Sequence, residues 1–384
     1  MVLIPSSVDL VGVSRHVYSL AKLLRDRGLL DSVVCPGEGW LSQTLKEEGI
    51  PYFIVRISFR PRRYISSNLS LFRFLASRRS ANVVHLHGRF PLLVSVTSLL
   101  ACRHLTFVAT VHRFTVADSE DRYSCKRSFE TLMLCRMKRI CCVSEDLRNE
   151  VLSRTGKRPS EVEVIPNWIE PLWAGQELER SGLCQMRKRA GYTRICGIGR
   201  LSREKGFDIL LKSIGILEKE GYAVKCDIFG DGPGKEPLAR LADELGITKN
   251  ICFNKTSRDV RRLLPNYDVL VIPSRSESFG IVALEAYDAY VPVIASDVAG
   301  LRNTVLHAQT GLLFEPGSPQ SLAAAVKMLI DSEALANELA ANGREYLKGY
   351  LPSENLYWKY AEFYAEAQVG DTDGFLFNKE SLPK

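Results

Sequence analysis

Short runs rich in Val and Ile alternate along this chain with longer segments of helical period, and that rhythm restricts the fold more than any other feature. A strand-length run, a helix-length segment and another strand-length run make a βαβ unit, so the pattern predicts parallel sheets and an α/β fold. Strands are expected near residues 2–4, 32–35, 52–55, 82–86, 106–110, 139–143 and 162–165. Val13, Val17, Leu20 and Leu24 recur at helical spacing and mark one of the intervening helices, over 13–26. The rhythm lapses from Pro166 to about Thr193 and then restarts. Further strands are expected near 194–198, 224–229, 250–253, 268–272 and 292–295, followed by helices over 318–330, 332–348 and 353–367.

The 384 residues, 46% of them hydrophobic, suffice for two domains of about 180 residues each. The lapse sets the boundary: a first Rossmann-like domain over 1–167, a linker over 168–192 and a second such domain over 193–352. The aromatic-rich helix over 353–369 is expected to pack back on the first domain, and 370–384 reads as a tail. Ligands of doubly wound sheets bind outside the carboxyl ends of the strands, so the chemistry is expected in strand-to-helix loops, across a cleft that the two sheets face.

The net charge of +7 is unevenly placed. Residues 1–180 hold 26 Lys and Arg against 18 Asp and Glu, while 181–384 hold 25 against 26. Arg60, Arg62 and Arg63, with Arg78, Arg79, Arg136, Lys138 and Arg139, fit attraction to an anionic membrane or a phosphorylated lipid; the bland alternative is a solvated basic face. No nucleic-acid-binding module accompanies the charge. No apolar stretch reaches about 18 residues and the first residues lack a signal-peptide pattern, so the expected location is cytoplasmic, peripheral on the inner membrane face. The 10 cysteines show no C-x2-C spacing and read as buried thiols of a reducing compartment.

The strongest local signal is S-R-S-E-S-F-G-I-V-A-L-E, from Ser274 to Glu285, directly after the run Val269–Ile272. Gly280 and Ile281 open a helix whose free N–H groups and positive dipole end suit a phosphate. Glu277 before it and Glu285 within it can hold hydroxyls on either side of a diphosphate. A second signal, G-I-G-R-L-S-R-E-K-G, runs from Gly197 to Gly206 and again leaves a strand for a helix. Arg200 and Lys205 can both neutralise a diphosphate. It is not a dinucleotide fingerprint, because Ser202 occupies the third glycine position. The run from Gly230 to Lys235 is not a P-loop, because Phe229 and Glu236 occupy two of its defining positions.

Taken in order, G-R-L-S-R-E-K-G (199–206), F-G-D-G-P (229–233), E-S-F-G-I-V-A-L-E (277–285), P-V-I-A-S-D-V-A-G (292–300) and T-G-L-L-F (310–314) resemble glycosyltransferase family 4, whose members have the GT-B fold. The resemblance extends from the Gly12 loop to about residue 330. It implies transfer of a hexose from a nucleotide diphosphate sugar with retained configuration and without a metal ion or other cofactor. Arg200 and Lys205 then correspond to the diphosphate clamp, Glu277 to the sugar-hydroxyl ligand and Glu285 to the ribose ligand. Phe279, Gly280 and Ile281 form the phosphate-facing turn. Gly12 corresponds to the loop approaching the donor phosphates, and His112, at a strand end, to the active-site histidine touching the transferred sugar. His85 and His87 are left as structural or acceptor-side. Val11, Trp168 and Asn303 depart from the family pattern.

The expected function is transfer from a UDP-linked sugar to a hydroxyl of a glycan or glycolipid in cell-surface polysaccharide or lipopolysaccharide synthesis. The alternatives are a sugar-nucleotide epimerase on the same plan and a catalytically silent relative that binds a glycan.

Overall fold

The computed structural model describes residues 1–9, 12–56, 61–78, 81–114, 124–172, 191–255 and 260–368. The chain divides into two compact units, Met1–Asn167 with the chain from Pro352 onward, and Trp168–Leu351. Val11, Arg60, Arg79, most of the expected linker and the tail after Gln368 lie outside the described residues, as do the side chains of Arg62 and Arg63.

The first unit is built on a seven-stranded parallel sheet in the order β3-β2-β1-β4-β5-β6-β7. Its strands are β1 (Val2–Pro5), β2 (Ser32–Cys35), β3 (Tyr52–Ile54), β4 (Val83–His87), β5 (Thr106–Val111), β6 (Arg139–Cys142) and β7 (Val162–Val164). The central β4 and β5 are buried at every position, as expected for parallel strands covered on both faces. Their register pairs His87 with Thr110, so His87 and His112 fall at the same carboxyl edge. Helix Gly12–Arg25 buries Val17, Leu20 and Leu24, the stripe its periodicity marks. Helix Glu354–Gln368 belongs to this unit, with Tyr360, Phe363 and Tyr364 fully buried. Arg139 pairs with its Glu366, and Arg27 donates to its Glu354 at 2.5 Å.

The second unit carries a six-stranded parallel sheet in the order β10-β9-β8-β11-β12-β13. The strands are β8 (Thr193–Ile198), β9 (Val224–Phe229), β10 (Ile251–Asn254), β11 (Val269–Ile272), β12 (Val293–Ser296) and β13 (Gly311–Phe314). Strand order reverses between β8 and β11, the switch point where such sheets bind ligands. Beneath it Ile195, Leu210, Ile214, Val271, Ile294 and Val326 form part of one apolar core.

Two expectations are corrected. The five strands expected in the second half are joined by a sixth, Gly311–Phe314, an edge strand pairing Leu312 with Ile294; four residues starting at Gly are too few to show a period. The cysteines are not uniformly buried: Cys135 and Cys252 are exposed, whereas Cys35, Cys102, Cys141, Cys142, Cys196 and Cys226 are buried. Cys252 stands on β10, an edge strand, and Cys135 in the last turn of helix Ser124–Arg136.

Candidate functional site

Helix Ile281–Asp288 follows β11 and starts from Gly280, which is left-handed at φ 78°. A Cβ there would lie 2.4 Å from Leu301 Cδ2, the far end of a side chain, so it is the backbone angle that favours glycine. No side chain caps the helix, which leaves first-turn N–H groups to meet an anion. Phe279 is buried with its ring edge-on to Tyr350, 5.8 Å between centroids, and its carbonyl accepts from Thr304 Oγ1 at 2.9 Å. The turn Phe279-Gly280-Ile281 is therefore fixed from both sides.

Glu277, in the same loop, accepts from Lys205 Nζ at 2.5 Å and from Ser274 Oγ at 3.3 Å. Close backbone packing brings Lys205 there. Gly206 is left-handed at φ 67°, and a Cβ on it would sit 1.9 Å from the Pro273 carbonyl oxygen. Gly230 and Gly232 lie against the same loop from β9, where added Cβ atoms would meet Gly199 O at 1.8 Å and Leu201 O at 2.4 Å. The glycines of F-G-D-G-P thus serve backbone contact, and Arg200 stands exposed on the loop they support. On the far side Gly300 packs on Glu277, its absent Cβ 2.1 Å from the Glu277 carbonyl oxygen.

Glu285 is only 2% exposed. Arg261 Nε lies 3.9 Å from its Oε1, and the same guanidinium donates to Asp288 Oδ2 at 3.2 Å and to the Glu170 carbonyl at 2.7 Å. Asp288 also accepts from the Leu172 amide at 2.6 Å and from Arg344. The structure thus sets Glu285 in a buried charged cluster whose other members, Arg261, Asp288 and Arg344, sequence reasoning missed. Asp288 was within reach, three residues on along the same helix.

In the first unit His112 lies one residue past β5 and is 8% exposed. Its Nε2 is 3.5 Å from His87 Nδ1, and its ring meets His16 edge-on at 4.8 Å between centroids. His85 is held between the Tyr364 hydroxyl at 2.8 Å and Thr110 Oγ1 at 2.7 Å. Burial lowers the pKa of His16 to about 4, with Asn167 opposing the shift, and holds His85, His87 and His112 well below the usual imidazole value. Their proximity to one another adds to the effect at His85, His87 and His112. Neutral rings can donate to or accept from a hydroxyl without adding charge. Ring nitrogens of His16, His87 and His112 lie within 4.8 Å of one another, a wider spread than the roughly 3.4 Å between nitrogens sharing one tetrahedral zinc. Gly12 is the exposed first residue of helix Gly12–Arg25. His16, four residues on, was not singled out from the sequence; its place near a histidine-bearing strand edge gives no local signal.

The family described as Glycosyl transferases group 1 matches residues 185–346, and that described as Glycosyltransferase Family 4 matches residues 11–171. The chain is 26% identical over 339 residues to the lipopolysaccharide core biosynthesis glycosyltransferase LpsD of Rhizobium meliloti, covering 88% of this chain and 90% of that one. It is 25% identical over 244 residues to the capsular polysaccharide biosynthesis glycosyltransferase CapM of Staphylococcus aureus, covering 61% and 63% respectively. Among solved structures, HepE of Anabaena in complex with UDP-glucose superposes with a TM-score of 0.81 at 19% identity, over 94% of this chain and 98% of that one. Two Rossmann-like units with this strand order and these matches agree: the chain is a GT-B-fold glycosyltransferase and belongs to glycosyltransferase family 4.

Proposed function

We propose that the protein transfers a hexose from a UDP-linked sugar to a hydroxyl of a glycan or lipid-linked glycan, with retained configuration, in cell-surface polysaccharide or lipopolysaccharide synthesis. The observation that carries this reading is the Lys205–Glu277 pair beside the uncapped start of helix Ile281–Asp288. A cation, backbone N–H groups and a carboxylate gathered in one place match the diphosphate and sugar hydroxyls of a single donor. The lipopolysaccharide core and capsular polysaccharide syntheses for which LpsD and CapM are named support the acceptor class, and UDP-glucose on HepE supports the nucleotide.

In this reading Arg200, Lys205 and the Phe279-Gly280-Ile281 turn of the second unit hold the diphosphate, Glu277 takes a sugar hydroxyl and Glu285 takes the ribose. In the first unit Gly12 and His112 keep the roles that the family resemblance implies. The bond from the anomeric carbon to the phosphate oxygen breaks as the bond to the acceptor oxygen forms on the same face. The acceptor proton passes to the departing phosphate oxygen, so the protein contributes positioning and charge stabilisation rather than a nucleophile.

The acceptor is assigned to the membrane face. Ile65 and Leu69, one turn apart on helix Pro61–Ala76, are 76% and 40% exposed, and that helix follows the basic run at Arg60. No helix among the described residues is long and apolar enough to cross a membrane. Exposed apolar side chains on a helix whose sequence opens on arginines fit a helix lying on an anionic surface.

Thermal unfolding with UDP, GDP, ADP and their sugars tests the reading. A ligand at 100 times its dissociation constant adds about 2.7 kcal/mol. UDP and a UDP-sugar are expected to raise the midpoint, and stabilisation by none of the six ligands would contradict a nucleotide-sugar enzyme.

A further inference from the structure

We infer that Arg275 and Asp208 form a positioning clamp that sets the spacing of Lys205 and Glu277, and through them governs affinity for the nucleotide diphosphate. The inference rests on the reading that Lys205 meets the diphosphate.

Arg275 sits between Ser274 and Glu277 in the loop after β11. Its Nη1 donates to Asp208 Oδ1 and its Nη2 to Asp208 Oδ2, each at 2.7 Å, a fork-on-fork geometry. The same Nη1 reaches the Arg203 carbonyl at 3.0 Å, and the Arg275 amide donates to the Glu204 carbonyl at 2.8 Å. These acceptors belong to residues 203, 204 and 208, which bracket Lys205. The turn carrying Lys205 is thus tied, on both sides of that residue, to the loop carrying Glu277.

Both partners are about one-third exposed, with side-chain exposures of 36% and 32%. A pair so placed adds little to global stability, because water screens it. Its geometric effect is larger. Without the fork, the two loops keep Gly206 packing on Pro273, the backbone bond from Arg275 to Glu204 and the Lys205–Glu277 pair, and lose the side-chain contacts that Arg275 makes with Arg203 and Asp208 on either side of Lys205. Misplacing a binding group by about 1 Å can cost two orders of magnitude in function.

The test is UDP titration by calorimetry on the full chain, comparing the parent with Arg275→Met, Asp208→Asn, the double variant and Lys205→Ala, and recording the melting temperature of each. The clamp predicts that Lys205→Ala, Arg275→Met and Asp208→Asn each weaken UDP about tenfold or more. The double variant should bind like Arg275→Met, because the two side chains act as one unit, and Arg275→Lys, which keeps the charge and loses the fork, should recover only part of the affinity. Melting temperatures should stay close to that of the parent, which separates positioning from loss of fold. If Lys205→Ala weakens UDP while the clamp variants bind within twofold of the parent, or if the two single losses multiply in the double variant, the clamp is wrong and the Lys205 assignment stands. If Lys205→Ala binds UDP as the parent does, the assignment falls and the clamp with it.

Discussion

Lys205 Nζ lies 2.5 Å from Glu277 Oε2, joining residues 72 positions apart on the loops that leave β8 and β11. Before any donor arrives, the cation assigned to the diphosphate is therefore already held in place by the carboxylate assigned to the sugar. Lys205→Ala should weaken UDP by the value of a lost charge-assisted hydrogen bond, about 1.5–3 kcal/mol, or roughly 10- to 150-fold in dissociation constant. Unchanged UDP affinity in that variant would detach Lys205 from the diphosphate.

Gly206→Ala should destabilise the second unit. The left-handed backbone costs an ordinary residue about 1 kcal/mol or more, and the new Cβ would stand 1.9 Å from Pro273 O, so the loops must separate. A lower urea midpoint is expected, with an even larger loss of UDP affinity because Lys205 moves with Gly206. A variant with parental midpoint and affinity would show that the close approach is dispensable.

The four buried histidines make acid stability a sharp observable. Their pKa values are depressed in the fold, so below about pH 6.5 the unfolded chain binds protons that the folded chain refuses. The stabilisation is complete above that pH and is lost as pH falls toward about 4, the value for His16. Stability should therefore fall between pH 7.5 and 5.5, with all four histidines acting in the same direction. Urea unfolding at the two pH values measures this; equal stabilities would mean that the rings are hydrated and ordinary.

The strand-helix rhythm was enough to expect two parallel sheets, because parallel strands buried on both faces are uninterrupted apolar runs that single-residue noise does not hide. The helix start at Gly280 was equally legible, since strand, glycine and helix are contiguous. Pairings across long separations were not. Nothing near Lys205 points to Glu277, nothing near Asp208 points to Arg275, and His16 joins His87 and His112 only through strand order. Glu285 was legible as a motif residue but not as a member of a buried cluster with Arg261, whose own segment carries no motif. Cys135 and Cys252 show that an apolar neighbourhood in sequence does not decide which way a side chain faces.

The membrane assignment predicts that Ile65→Ser with Leu69→Ser will reduce binding to vesicles containing phosphatidylglycerol at low salt, while UDP affinity remains parental. The comparison is co-sedimentation at matched lipid concentration. If the double variant sediments as the parent does, helix Pro61–Ala76 is not the contact.

The central claim is that Glu277 and Glu285 serve different parts of one donor, and calorimetry with UDP beside turnover of UDP-glucose measures it most directly. Glu285→Gln should weaken UDP by about 1.5–3 kcal/mol, because its assigned ribose is present in the free nucleotide. Glu277→Gln should leave UDP affinity close to parental, because the Arg275–Asp208 fork and the Arg275 backbone bond still place the Lys205 turn, while turnover of UDP-glucose falls sharply. If both substitutions weaken UDP alike, or if turnover survives Glu277→Gln, the two carboxylates do not divide the donor between them and the assignment of the site is wrong.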